Sequence, residues 1–180
     1  MNTEPNGSAV AHAVRRCRTD DFDDILAVVN DGAEAYRGVI PADCWHEPYM
    51  PDAELGREIA AGVAFWGIEE DGALVAVMGL QRVGDVDLIR HAYVQGARQR
   101  RGLGGELLRS LGARADRPLL VGTWAAAAWA VDFYRKHGFE VVPRAETAAL
   151  LRRYWSISER QIETSVVLAD PAWRARRPAR

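Results

Sequence analysis

The sequence predicts an α+β domain with a layered α/β arrangement, in which helices flank a mixed, mostly antiparallel sheet. Hydrophobic residues make up 48% of the 180-residue chain and the formal net charge is -2, which excludes a mainly disordered protein. Strand signals follow one another in hairpin order before a glycine-rich loop, whereas strand, helix and strand alternate after it. Hairpins join antiparallel neighbours and helical crossovers join parallel ones, so the combination predicts a mixed sheet.

The first half of the chain carries signals for two helices and four strands. Thr19 suits the N-cap of the first helix, whose apolar residues recur at helical spacing. Gly62 stops the second helix, and the pair Asp71-Gly72 is a hairpin turn signal between two apolar runs. The elements predicted in this half are a strand at 14–18, a helix after Thr19, a loop at 38–51, a helix at 52–61, and strands at 64–69, 74–82 and 87–94.

The second half of the chain alternates helices and strands. Pro118 opens an apolar run, and Gly138 is the residue type that usually follows a helix C-terminus. The elements predicted in this half are a glycine-rich loop at 98–105, a helix at 106–115, a strand at 119–124, an alanine-rich helix at 125–137, and strands at 139–142 and 163–168.

The composition excludes several classes of protein. The chain has 23 basic and 25 acidic residues, whereas a dedicated nucleic-acid binder carries a strong basic excess. Residues 1–13 do not read as a signal peptide, and no apolar run reaches the ~18 residues that a membrane helix needs, so we expect a cytoplasmic protein without a membrane partner. Cys17 and Cys44 are too few for a disulfide framework. We expect one domain at 13–169, a flexible tail at 1–12 and a basic tail at 170–180.

The strongest functional signal is the run Gln99-Arg100-Arg101-Gly102-Leu103-Gly104-Gly105, which follows a strand and opens a helix. The first N–H groups of a helix lack partners within it, and the helix dipole adds positive potential, so phosphate oxygens bind there. Glycines let the backbone approach a diphosphate, and Arg98, Arg100 and Arg101 add charged donors. A dinucleotide fingerprint would need glycine at Leu107, and the Gly-Lys-Ser/Thr end of a P-loop is absent.

Two motifs resemble those of the GNAT acetyltransferase superfamily. Gln99-x-x-Gly102-x-Gly104, after Tyr93-Val94, resembles its acyl-CoA signature, and Phe133-Tyr134-x-x-x-Gly138-Phe139 resembles its second recurring motif. The resemblance extends over about 14–168. It implies a sheet with a central splay beside Val94, where the backbones of Tyr93 and Val94 would bond the pantetheine amides. It also implies that the residues holding the pyrophosphate are Arg98, Gln99, Arg100, Arg101, Gly102, Leu103, Gly104 and Gly105.

The resemblance implies an N-acetyltransferase that moves an acetyl group from the cosubstrate acetyl-CoA to an amine of a small molecule or peptide by direct attack, without a metal. Tyr134 resembles the residue that often protonates the departing thiolate, and a phenol with a pKa of about 10 stays protonated at neutral pH. The positions where relatives place a general base hold Leu88 and Arg90. Asp87 and His91 lie on the other face unless a bulge intervenes, which makes His91 a catalytic candidate. Transfer through water or from a neutral amine stays equally open.

Contacts with the acceptor amine should come from the segment between the first two helices. This segment mixes aromatic faces with acidic groups that can receive a cationic amine. It is equally consistent with a loop that packs its aromatic side chains on the core. A later segment at 152–155 is a second candidate for closing the same pocket. The predicted substrate residues are Glu34, Tyr36, Trp45, His46 and Tyr49.

Two other functions stay open. Many relatives carry Asn where this chain has Ala127, and the general base is missing from its usual place, which leaves a non-catalytic CoA- or acyl-CoA-binding regulatory module as the main alternative. The other is an enzyme that uses a different phosphorylated cosubstrate. Because relatives are often dimers, a homodimer is also open. The sequence identifies neither the acceptor amine nor the length of the acyl chain.

Overall fold

A computed structural model describes residues 12–176 and confirms the α+β class, with helices on both faces of one seven-stranded sheet. The strands are β1 Val14–Arg16, β2 Ala64–Glu70, β3 Ala73–Val83, β4 Val86–Val94, β5 Leu119–Trp124, β6 Glu140–Val141 and β7 Ser165–Ala169. The helices are α1 Phe22–Ala33, α2 Asp52–Ala60, α3 Leu103–Gly112, α4 Ala128–Lys136, α5 Arg144–Tyr154, α6 Glu159–Thr164 and α7 Pro171–Ala175. Within residues 12–176, no helix has the length and apolar character needed to cross a membrane.

The sheet has the order β1-β2-β3-β4-β5-β7-β6, and its pairs are antiparallel except for β4 with β5. That parallel pair is short, because it joins only Asp87–Ile89 to Leu119–Val121. Beyond these positions β5 continues to pair with β7, and β4 continues to pair with β3. The sheet therefore splays between β4 and β5, as the resemblance implies.

Each face of the sheet carries its own hydrophobic core. Alternate side chains of a strand point to opposite faces, so Phe65 of β2 packs with α1 and α2 whereas Ile68 of the same strand packs with α3. Leu103, Leu107 and Leu111 form the apolar face of α3 and are buried at one-turn spacing. These two layers hold β4 and the start of α3 in place, and the candidate site lies at their junction.

Several predicted boundaries differ from the structure. Thr19 is not the N-cap of α1, because a 3-10 turn at Thr19–Asp21 precedes the helix. Helix α3 begins at Leu103 rather than at residue 106, since Leu103 is a core residue that is only 1% exposed. Helix α4 begins at Ala128 rather than at 125, because Ala127 closes a turn by donating its N–H to the carbonyl of Trp124. Helices α5 and α6 were not predicted, and α6 takes the first residues assigned to the last strand.

The ordered fold continues past residue 169, where the basic tail was expected to begin. Asp170 caps α7 by accepting the N–H of Trp173 at 2.8 Å. The indole of Trp173 packs on the core beneath α5, with its ring centroid 6.4 Å from that of Tyr154. Of the expected N-terminal tail, His12 is held by Glu106, and residues 1–11 lie outside the described residues, as do residues 177–180.

Candidate active site

A cavity of about 1210 Å³ opens where β4 and β5 separate. Its walls come from both strands, from α2, α3 and α4, and from the segments before α2 and after α5. The splay thus brings together parts of the chain that are far apart in sequence. The predicted site residues that line this cavity are Tyr36, His46, Tyr49, His91, Tyr93, Val94, Arg98, Gln99, Arg100, Arg101, Gly102, Leu103, Gly104, Gly105 and Tyr134.

The glycine-rich loop turns sharply into α3. Arg100 has φ 62° and Gly102, the N-cap residue, has φ 87°, so both are left-handed. The N–H of Glu106 makes the first hydrogen bond within the helix, to the carbonyl of Gly102 at 3.1 Å. The N–H groups of Leu103 and of the residues that follow it before Glu106 have no partner of this kind, and these residues line the cavity. A helix N-terminus is therefore directed at the cavity wall, where it favours an anion.

The arginines of the loop are held by a carboxylate. Oε2 of Glu70 lies 3.0 Å from Nη1 of Arg98 and 3.1 Å from Nη1 of Arg101. Its other oxygen, Oε1, lies 3.5 Å from Nε2 of His12, whose Nδ1 lies 3.1 Å from Glu106. Three arginines thus face the cavity against two carboxylates, those of Glu70 and Glu106, which leaves a net positive charge beside the helix N-terminus.

The two glycines in the first turn of α3 differ in what they allow. A Cβ at Gly105 would lie 2.8 Å from Nε2 of His137, so the absence of a side chain there permits the close packing of α3 against the end of α4. A Cβ at Gly104 would lie 3.4 Å from the ring of Phe133, which is ordinary van der Waals contact. The glycine at 105 therefore allows α3 to approach the end of α4, whereas the sequence suggested only the approach of a diphosphate.

Tyr134 lines the cavity from α4 and is only 5% exposed. Its ring meets those of Phe133 and Phe139 edge-on, at centroid distances of 5.0 and 5.7 Å. Burial, and to a smaller degree the neighbouring Tyr36, raises the pKa of Tyr134 far above the usual value. The phenol therefore keeps its proton at any physiological pH and is available as a hydrogen-bond donor inside the cavity.

A β-bulge places His91 in the cavity wall. Gly79 of β3 pairs with Arg90 and Val77 pairs with Tyr93, so two residues of β4 oppose one of β3. His91 takes the strained φ of 47° in this bulge. Its ring stacks on Phe65 at a centroid distance of 5.9 Å. Because of the bulge, the side chain of His91 lies on the same face of β4 as that of Arg90. The sequence made this placement conditional on a bulge.

The other positions weighed for a base lie elsewhere. Leu88 is fully buried in the core, and Asp87 is buried beside Arg82, 3.6 Å from its Nε. Arg90 does line the cavity, where its guanidinium binds Glu58.

Sequence reasoning missed Glu58, which also lines the cavity. Its Oε2 lies 2.6 Å from Nη2 of Arg90 and 3.1 Å from Nε2 of His91. Burial raises the pKa of Glu58, but the hydrogen bond with His91 and the charge of Arg90 outweigh burial, and the net pKa is lowered. Glu58 is therefore an ionised, half-buried carboxylate. The only sequence signal was the spacing of Glu54 and Glu58, which puts both on one face of α2.

The aromatic residues before α2 form a packed wall of the cavity. Tyr36 stacks on Tyr49 at 6.3 Å, and both rings meet Tyr93 edge-on. Burial raises the pKa of Tyr36 to about 12 and raises that of Tyr93 well above the usual value. Trp129, 45% exposed, lies over Tyr36 at 5.4 Å and lines the cavity.

Two of the predicted substrate residues do not line the cavity. Glu34 is engaged by the guanidinium of Arg37, whose Nη2 lies 2.9 Å from it. Trp45 stands behind Tyr49 and carries the same guanidinium over its ring at 4.7 Å. In the segment at 152–155, Trp155 alone lines the cavity.

The chain matches the Acetyltransferase (GNAT) domain family over residues 29–149. It belongs to the GNAT family. Among solved structures, PaiA N-acetyltransferase from Thermoplasma acidophilum in complex with coenzyme A is similar at 14% identity and a TM-score of 0.65, covering 88% of this chain and 97% of that one. The ribosomal-protein-S18-alanine N-acetyltransferase from Escherichia coli is similar at 17% identity and a TM-score of 0.61, covering 89% and 94%.

A GNAT family acetyltransferase from Elizabethkingia anophelis with acetyl-CoA bound is similar at 16% identity and a TM-score of 0.60, covering 89% of this chain and 98% of that one. At these identities the likeness to solved structures concerns the fold. No curated protein matches the sequence.

Both GNAT motifs of this chain meet at the same cavity. The glycine-rich loop lines it from the start of α3, and Tyr134 lines it from α4. Ala127, where many GNAT relatives carry Asn, is completely buried at the N-terminus of α4 and packs with Ile40 and Trp124. In this GNAT domain that position is therefore part of the core. Within residues 12–176, the structure holds no group of three side chains suited to bind a metal ion.

Proposed function

We propose that this GNAT domain is an N-acetyltransferase that transfers an acetyl group from acetyl-CoA to an amine of a small molecule or peptide. One observation carries the proposal: the N-terminus of α3, which is suited to an anion, and the protonated, buried Tyr134 line one continuous cavity at the splay of the sheet. Its location in the cytoplasm and its assembly as a homodimer stay predictions.

The cavity fits acetyl-CoA at both ends. The N–H groups that open α3, with the guanidinium groups of Arg98, Arg100 and Arg101, suit a pyrophosphate. Among residues 12–176, the edge of β4 that faces the splay has no strand partner after Ile89, so the backbones of Tyr93 and Val94 are placed to bond the pantetheine amides. Acetyl-CoA supplies an activated thioester to this site.

Two side chains account for the protons of the transfer. The neutral acceptor amine forms a bond from its nitrogen to the thioester carbonyl carbon, and His91 takes the proton that this nitrogen loses as the bond forms. The C–S bond breaks, its electron pair goes to sulfur, and Tyr134 donates its proton to that sulfur. Solvent then returns a proton to Tyr134 and removes one from His91, which restores both groups.

Ligand binding and turnover are tested separately. Thermal shift with acetyl-CoA, CoA, ATP and NAD identifies the cosubstrate, since a ligand at 100 times its Kd stabilises the folded state by about 2.7 kcal/mol. An unchanged Tm in millimolar acetyl-CoA would exclude CoA as the ligand. Release of thiol from acetyl-CoA with a panel of amines then measures transfer. Binding of acetyl-CoA without release with any amine would favour the regulatory module.

The variant Tyr134→Phe tests the proton donor. We expect kcat to fall about 10²–10⁴-fold, the usual contribution of general acid–base catalysis, with little change in the acetyl-CoA thermal shift. Tyr154→Phe is the matched control, because the hydroxyl of Tyr154 binds Asp85 outside the cavity. Unaltered turnover in Tyr134→Phe would remove this residue from the mechanism.

A further inference from the structure

His91 is presented to the cavity by a rigid local structure. The bulge in β4 fixes its backbone, and Phe65 of β2 packs against one face of its ring. Its Nε2 lies 3.1 Å from Oε2 of Glu58, which approaches from α2. Among residues 12–176, Nδ1 of His91 has no hydrogen-bond partner. One ring nitrogen is thus engaged and the other is left for a ligand.

Glu58 is itself held in place. Nη2 of Arg90 donates to Oε2 of Glu58 at 2.6 Å, and Nη1 of Arg90 donates to Oε1 of Gln81 at 2.7 Å. The amide of Gln81 in turn donates to the carbonyl of Ala61 at 3.0 Å, directly after α2. This chain of hydrogen bonds ties α2, β3 and β4 together, so the carboxylate has little freedom to turn away from His91.

We propose that Glu58 is the positioning residue for His91: its carboxylate accepts the Nε2–H, fixes that tautomer, and leaves Nδ1 to take the proton of the acceptor amine. The assignment follows from the hydrogen-bond inventory, because an ionised carboxylate only accepts, so the imidazole must donate through Nε2. That Nδ1 takes its proton from an acceptor amine rests on the proposed function. The tautomer of His91 does not depend on the proposed function.

Arg90 explains why the carboxylate stays charged in a half-buried place. The groups that face the His91 ring are the carboxylate of Glu58 from α2, the guanidinium of Arg90 from β4 and the apolar ring of Phe65 from β2. The charge of Arg90 offsets that of Glu58 and helps to hold the pKa of this carboxyl below its usual value. Arg90 thus stands at the position expected for a general base, and it acts on the neighbouring residue His91 through Glu58.

The tautomer is measured directly by NMR. In wild-type protein at neutral pH, long-range ¹H–¹⁵N spectra of ¹⁵N-histidine should show His91 with its proton on Nε2 and a bare Nδ1. The chain has four histidines, so the variant His91→Gln assigns the signal by its loss. Glu58→Gln should change the His91 signal, whereas Glu54→Gln, one turn earlier on the same cavity wall, should leave it as in wild type. A proton on Nδ1, or both nitrogens protonated at neutral pH, would overturn the proposal.

Kinetics give the second readout. We expect kcat/KM for the amine to fall about 100-fold in His91→Gln and about 10- to 100-fold in Glu58→Gln, with the acetyl-CoA thermal shift unchanged in both.

The two failures are distinguishable. If acetyl-CoA neither binds nor reacts, the proposed function fails, and the NMR signal still decides the tautomer. If the wild type is active but Glu58→Gln keeps both its turnover and its His91 signal, Glu58 has no positioning role. Circular dichroism of Glu58→Gln checks that the protein is folded, and Glu58→Asp, which keeps the charge on a shorter arm, should recover part of the lost kcat.

Discussion

Gly102 gives the sharpest test of the loop geometry. It is the N-cap residue of α3 and has φ 87° and ψ -4°, a conformation that L-residues other than Asn and Asp rarely adopt. A Cβ added at this position would meet nothing within 4 Å. The substitution Gly102→Ala therefore isolates backbone conformation from packing, and any loss of stability comes from the left-handed φ alone.

The expected loss follows from this geometry. A left-handed alanine costs about 1–2 kcal/mol, and the reduced freedom of its unfolded chain offsets about 0.4–1 kcal/mol of that. The net destabilisation is about 1 kcal/mol, and Tm should fall by about 2–4 °C for a chain of this size. Gly102→Asn should lose less, because Asn enters the left-handed region more readily.

Urea unfolding and thermal melts measure both variants against Gly104→Ala. Gly104 lies in the first turn of α3 with ordinary φ, and its added Cβ would make ordinary contacts with the ring of Phe133 at 3.4 Å and with Cγ2 of Val94 at 3.8 Å. Because alanine is favoured over glycine inside a helix by about 1 kcal/mol, Gly104→Ala should be as stable as the wild type or more so. Equal stability of Gly102→Ala and wild type, or a larger loss in Gly104→Ala, would refute the reasoning.

Two further variants probe packing and charge. Gly105→Ala would place its Cβ 2.8 Å from Nε2 of His137, so we expect the free energy of unfolding, measured in urea, to fall by about 1–2 kcal/mol. In a His137→Ala background the same substitution should cost no stability. An equal loss in both backgrounds would contradict the contact. The hydrogen bonds from Arg15, then the Arg18 N–H, hold the pKa of Asp21 far below the usual range. A lowered pKa adds stability above the unfolded value of about 3.9, and this stability is lost as pH falls below it. Asp21→Asn should therefore lower the free energy of unfolding by about 1–3 kcal/mol at pH 7. Below about pH 4 the variant should lose less stability than the wild type. An equal loss in both proteins would show that the Asp21 carboxylate and its partners do not cause it.

The sequence predicted what depends on local patterns. The hairpin at Asp71-Gly72 and the glycine-rich loop follow from turn chemistry and from the order of strand, glycines and helix, and the structure has both turns. It misplaced the start of α3, because Gly104 and Gly105 resemble helix breakers while Leu103 anchors the helix in the core. The roles of the loop residues toward a ligand stay predictions.

The parts of the site that depend on pairing register could not be predicted. The bulge at His91 exists only in the alignment of β3 with β4, and nothing in the sequence of β4 alone requires it. Glu58 is 33 residues from His91, and the two meet only because α2 packs beside the bulge. Helix α5 escaped notice because it buries only Thr147, Leu151 and Tyr154, and one of these three is polar, so its apolar periodicity is weak.

Glu70 sets how much negative charge a ligand of the glycine-rich loop needs. Its carboxylate already binds Arg98 and Arg101, so a small monoanion would have to compete with it for these two guanidinium groups. A diphosphate brings more charge than Glu70 and also reaches the N–H groups that open α3, which Glu70 leaves unsatisfied. We therefore expect the loop to bind a polyanion but not chloride or acetate. The selectivity arises because the carboxylate of Glu70 competes with the ligand for the arginines.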